Sequence, residues 1–189
     1  SMDERLALLH ASFEGVPIIN KDDYYYFIHP LTDGVPRVDA DLLRAVADLI
    51  IERVDWSKVD LILGIEAMGL PLVSTICLMQ SLPMVVARKR AYGLEGEIEV
   101  EQQTGYSQGK MYLNDLSKGD NILIIDDVLS TGGTLDAILA GVEKTGAQVS
   151  EVIVVVEKSE KMQSIASKHS VRISSLVKVE MDRDCISIL

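Results

Sequence analysis

Residues 122–135, ILIIDDVLSTGGTL, run four aliphatic side chains into two adjacent acids and then into a loop of hydroxyls and glycines. Asp126 and Asp127 close a hydrophobic run that reads as a buried strand. In an open α/β sheet, ligands land outside the carboxyl ends of the strands, so these acids should face a crevice. Ser130, Thr131, Gly132, Gly133 and Thr134 then enter a helical pattern. Unpaired backbone N–H groups, small hydroxyls and glycine's permissive backbone suit a phosphate there. Thr134 follows Gly133 where a GxxxxGK[ST] loop needs lysine, so a single terminal phosphate fits better than a triphosphate. Carboxylates repel further phosphate but accept hydrogen bonds from neutral hydroxyls, and a ribose offers two. The ligand implied is a ribose 5-phosphate unit. Taken alone, the acid pair also fits a metal site or a receiver-type phosphoacceptor. A receiver should carry its pair after the first strand, near the start of the chain.

The elements that must hold these residues are legible as alternation. Short aliphatic runs at 59–65, 84–87, 121–126 and 151–157 read as strands buried on both faces. Between them, 69–80, 133–145 and 160–169 carry helical spacing, and Gly146 fits the position after a helix C-terminus. The fold class expected is α/β, a mostly parallel central sheet flanked by helices, in one domain spanning 1–189. Two parts break the pattern. Residues 14–38, rich in Tyr, Pro, Asp and Gly, read as a small N-terminal hood ahead of a helix at about 40–54. Residues 90–114 are polar and weakly alternating, and read as a long two-stranded flexible arm.

Composition narrows the class. The chain has 189 residues, 48% of them hydrophobic, enough for one substantial core. Its net charge of −11, from 18 basic and 29 acidic residues, argues against nucleic acid as the main ligand. Cys77 and Cys185 lie far apart and suggest buried thiols, not a zinc site or a disulfide framework. No apolar run approaches a membrane span and the start lacks a signal-peptide pattern, so a cytoplasmic protein is expected. Ser1 ahead of Met2 reads as a remnant of tag removal.

The 122–135 stretch resembles the phosphoribosyl pyrophosphate (PRPP) signature of the type I phosphoribosyltransferases. The segments VDLILGIEAMGLPL, VVARKRAYGLEGE and TGYSQGKMYLN are similar to the pyrophosphate loop, the next strand and the flexible arm of the adenine and xanthine branch. Order and spacing over roughly 24–160 look closest to the archaeal hypoxanthine/guanine phosphoribosyltransferases.

The resemblance implies a reaction in which a purine nitrogen displaces pyrophosphate from the anomeric carbon of Mg²⁺-PRPP with inversion. Ser130 to Thr134 would hold the 5-phosphate. Asp126 and Asp127 would hold the ribose hydroxyls and stabilise an oxocarbenium-like centre. Mg²⁺ would be carried by ribose and pyrophosphate oxygens and waters, with no direct protein ligand. Glu66, Ala67, Met68 and Gly69 would form the pyrophosphate loop, where relatives often have a non-proline cis peptide. Relatives frequently carry arginine where Met68 stands, so Arg88 and Lys89 become candidates for the missing charge. As a run they also read as a solvated basic cluster. Tyr106 and Lys110 mark the arm that would close over the reacting centre and exclude water. Adenine enzymes place a glutamate where Gly105 stands, and classical hypoxanthine enzymes an acid where Ser130 stands. Both usual general bases are therefore absent.

Base recognition is expected from the hood and the strand near 157. Tyr24, Tyr25 or Tyr26 could offer a stacking face, or simply pack on a partly exposed strand. Lys158 is a donor only, so in the base pocket it suits a 6-oxo group and clashes with the exocyclic amine of adenine. A surface lysine at a strand end is the bland alternative. The resemblance thus implies salvage of hypoxanthine and guanine to IMP and GMP, usually by a homodimer. Adenine or xanthine specificity is the runner-up, and a PRPP-sensing regulator the reading from another class.

Overall fold

The computed structural model describes residues 2–103 and 108–189. The chain opens with helix α1 (Glu4–Ala11), a hairpin of β1 (Ile18–Lys21) and β2 (Tyr24–Phe27), and the single-turn α2 (Pro30–Asp33). Helix α3 (Ala40–Arg53) follows, capped at its start by the Asp39 carboxylate. Then come β3 (Leu61–Ile65), α4 (Gly69–Gln80) and β4 (Met84–Ala87). An antiparallel pair, β5 (Ile98–Gln103) and β6 (Gln108–Leu113), forms the arm. The second half runs β7 (Asn121–Leu129), α5 (Gly133–Thr145), β8 (Gln148–Glu157), α6 (Met162–His169), β9 (Ile173–Asp182) and β10 (Cys185–Ile188).

The central sheet has the order β10–β9–β8–β7–β3–β4, parallel throughout except for the β9–β10 hairpin. Alternate residues of each strand feed two cores. Ile62, Leu123, Ile125, Ile153 and Val155 pack with α1, α3 and α4, while Leu63, Ile122, Ile124, Val152 and Val154 pack with α5 and the arm. Fully burying each such side chain contributes roughly 1.5–3 kcal/mol, which is why the strands read as unbroken aliphatic runs. Two glycines permit close approach. A Cβ on Gly64 would lie 3.1 Å from Val73 of α4, and one on Gly141 of α5 only 2.3 Å from Val100 of the arm.

The expected α4, β4 and α5 agree with the observed bounds. The expectation for the acid pair needs correction. Asp126 and Asp127 do not end their strand, because β7 keeps pairing with β8 through Val128↔Val156 and Leu129↔Glu157. The β3–β7 ladder stops at Gly64↔Ile125. The crevice opens on the β3 side, where that strand has already turned away. Helix α6 also starts at Met162, not at 160.

Candidate active site

Three cavities meet at Ser130. One, of about 300 Å³, is lined by Glu66, Asp126, Asp127, Thr131, Gly132 and Thr134 besides Ser130. Asp126 is 9% exposed and Asp127 8%. Burial pushes both carboxyls above the usual range, Asp126 well above it, and the neighbouring Asp127 charge raises Asp126 further. The floor is tight: a Cβ on Gly69 would stand 2.9 Å from Asp126 Oδ1. Gly69 therefore keeps the head of α4 against the acid pair.

The 130–134 loop is shaped as a cradle. Gly132 adopts φ +83° and precedes α5, whose start has no side-chain cap. The Thr131 hydroxyl accepts from Gly133 N at 3.2 Å. The Thr134 hydroxyl donates to the Gln102 side-chain oxygen, so the arm touches the loop directly. The other N–H groups of the first turn, with the Ser130 and Thr131 hydroxyls, provide anion donors at the head of a thirteen-residue helix.

On the β3 side, the Glu66–Ala67 peptide is cis, and the turn enters α4 through Met68, which supplies no side-chain cap. The Met68 thioether packs toward the Gly34 turn of the hood. Glu66 Oε1 accepts from Arg88 Nε at 3.1 Å and from Lys89 N at 2.9 Å, and these contacts hold its carboxyl below the ordinary range. Arg88 also donates to the Tyr92 hydroxyl at 2.5 Å, and its backbone pairs with Tyr112 of the arm. Arg88 and Lys89 thus join the loop to the root of the arm. Lys110 lies on β6, exposed, 3.5 Å from Glu99. Tyr106 lies outside the described residues.

The second cavity, about 280 Å³, lies under the hood between Tyr24, Tyr26, Phe27, Asp33, Ser130 and Lys158. The Lys158 backbone N donates to Leu129 O at 2.9 Å, which fastens it beside the loop. Its ammonium stands 4.8 Å from the Phe27 ring centroid, and burial lowers its pKa. Tyr24 and Tyr26 meet at a tilt of 47° with 5.6 Å between centroids, and Tyr24 and Tyr25 line a larger neighbouring groove of about 960 Å³. Sequence reasoning missed Asp33, Phe27 and Gln102. Only Asp33 carried a signal, an acid just before the turn glycine of HPLTDG.

Two buried acids, a helix head without a side-chain cap and a hooded cavity thus lie together at the switch in strand order, the place where open α/β sheets bind ligands. Residues 38–183 match the phosphoribosyl transferase domain family, and the chain belongs to that family. It is 46% identical to the hypoxanthine/guanine phosphoribosyltransferase of Methanotorris igneus over 182 residues, covering 96% of this chain and 100% of the relative. To the protein of that name from Ferroglobus placidus it is 48% identical over 178 residues, covering 94% of each. Adenine phosphoribosyltransferase from Saccharomyces cerevisiae shares the fold with a TM-score of 0.74 at 20% identity, over 93% of this chain and 99% of that one.

Proposed function

We propose that the chain is a purine salvage phosphoribosyltransferase that converts hypoxanthine or guanine plus PRPP to IMP or GMP plus pyrophosphate. The observation that carries the base assignment is Lys158, a donor-only side chain in the hooded cavity beside the phosphate cradle. The near full-length similarity to the two archaeal proteins of that name supports it.

In this reading Ser130–Thr134 hold the 5-phosphate through N–H and hydroxyl donors. Asp127 and Asp126 accept from the ribose hydroxyls and face the anomeric carbon, where a developing cation favours their ionised form against burial and is stabilised by it in turn. Glu66–Gly69 present backbone donors to the leaving pyrophosphate, with Arg88 and Lys89 adding positive charge nearby. The arm that bears Lys110 would close over the centre and exclude water, which would otherwise hydrolyse PRPP. Tyr24, Tyr25 and Tyr26 wall the base site.

The described residues hold no cluster of three or more His, Cys, Asp or Glu able to cage a metal. Mg²⁺ prefers water and substrate oxygens, and in this reading PRPP and waters carry it with no direct protein ligand. Bound with PRPP, it would neutralise charge on the pyrophosphate as that group leaves. We further place the enzyme in the cytoplasm; among the described residues no helix is long and apolar enough to cross a membrane. We also propose a homodimer formed across the outer face of α4, where Leu78 is 84% and Met79 41% exposed.

Lys158→Leu tests the base site. Loss of roughly 10- to 100-fold in kcat/KM for hypoxanthine and guanine is expected, the value of a charged hydrogen bond, with PRPP affinity unchanged. Weakened PRPP binding with an unaltered base preference would move Lys158 out of the base pocket.

A further inference from the structure

The hooded cavity holds a second fixed charge that the reaction scheme does not use. Asp33 is the carboxylate among its lining residues, facing the same space as Lys158. One of its oxygens is anchored: Oδ2 accepts from His29 N at 2.9 Å and from the Thr32 hydroxyl at 2.6 Å. The other has no hydrogen-bond partner among the described residues. The platform beneath is rigid. His29 is 0% exposed and stacks on Phe13 at 4.3 Å. Its Nδ1 accepts from Leu31 N at 3.1 Å, and Nε2 lies 2.8 Å from the Ser12 hydroxyl. That hydroxyl donates to Leu9 O, so Nε2 carries the proton and donates to Ser12. Burial lowers the His29 pKa to about 4, which keeps this neutral tautomer in place at neutral pH.

Asp33 and Lys158 do not form a salt bridge, although the Asp33 charge acts on Lys158 and on Asp127. The cavity therefore presents a donor and an acceptor with room between them. A 6-oxopurine edge has the complementary order: an oxygen acceptor, then the N1–H donor and, in guanine, the 2-amino donor. Adenine reverses the first two, offering an amine and a bare N1. Xanthine puts a second oxygen where guanine has its amine, against the carboxylate.

Resting on the salvage reading above, we propose that Asp33 is a specificity-determining residue that accepts from N1–H and the 2-amino group of guanine while Lys158 donates to the 6-oxo group. The pair ranks bases as guanine above hypoxanthine, with adenine and xanthine disfavoured. A site built to hydrogen-bond a donor rejects an analogue that lacks it, because its own polar group is left unpaired.

Asp33→Asn tests this, because its amide oxygen can still accept from His29 N and the hood should stay folded. The measurements are kcat/KM for guanine, hypoxanthine and xanthine, KM for PRPP, and the melting temperature. The guanine-to-hypoxanthine ratio should fall by roughly tenfold, one charged hydrogen bond, with xanthine gaining relative to both. PRPP KM should not move. An unchanged ratio, or equal losses with every base, would reduce Asp33 to a hood cap and overturn the proposal. Should the variant fail to fold, GMP and IMP binding to the unsubstituted enzyme decides: GMP tighter by roughly tenfold supports the pair, and equal affinities overturn it. Absence of turnover by the unsubstituted enzyme with any 6-oxopurine would overturn the salvage reading itself, which the ratio in an active enzyme does not touch.

Discussion

Two adjacent carboxyls, each less than a tenth exposed, are a costly thing to build into a sheet. Their raised pKa values mean that the fold favours the protonated pair, so the stabilising contribution is complete at acid pH and is lost as pH rises through the folded pKa values. Asp126→Asn removes the larger share of that dependence. The variant should melt about 2–4 °C higher at neutral pH, for a gain of about 1 kcal/mol, and show little gain near pH 4. Calorimetry at the two pH values checks this; an equal shift at both would mean that ionisation is not the cause. Turnover should move the other way. Asp127→Asn is expected to lose about 10²–10³ in kcat with every base, and normal activity would remove Asp127 from the reaction centre. Stability given up at this pair is what a charge-stabilising site would require.

At the scale of elements, the site depends on strands of unequal length. β7 outruns β3 on one side while staying paired with β8 on the other, and the acids occupy the uncovered step. The aliphatic runs in the sequence located β3, β4, β7 and β8, and the glycine and hydroxyl cluster located the cradle. The unequal ladder ends were not legible, since pairing is decided by a neighbour remote in sequence. The role of Asp33 was hidden for a related reason: the acid before Gly34 marks a turn in the sequence, but its place opposite Lys158 exists only once the hood packs over the sheet. Helix α1 and strands β9 and β10 went unread because their patterns are short or half-exposed, as in the burial alternation of β10. The arm offers a test of packing. Gly141 lets β5 and β6 lie on α5, and Gly141→Val would drive methyls into Val100 and Leu113. A loss of about 1–3 kcal/mol is expected in thermal unfolding, the range for overpacking a core. Unchanged stability would mean that the arm is not seated on α5 in solution.

For the whole molecule, the dimer proposed above rests on the exposed Leu78 and Met79 of α4, and it must form against the repulsion of two chains each carrying a net charge of −11. Helix α4 carries the Glu66–Gly69 turn at its head, so a dimer across its outer face would brace the turn proposed to hold pyrophosphate. Leu78→Lys should convert a dimer to a monomer in light scattering; a dimer that persists would place the interface elsewhere. The most direct test of the enzyme as a whole is pyrophosphate release with PRPP and Mg²⁺ across hypoxanthine, guanine, adenine and xanthine, with uracil and orotate as controls. Selective turnover of hypoxanthine and guanine is the expected result. Turnover of adenine alone would keep the family and contradict the base site built on Lys158, while PRPP binding without turnover of any base would contradict catalysis.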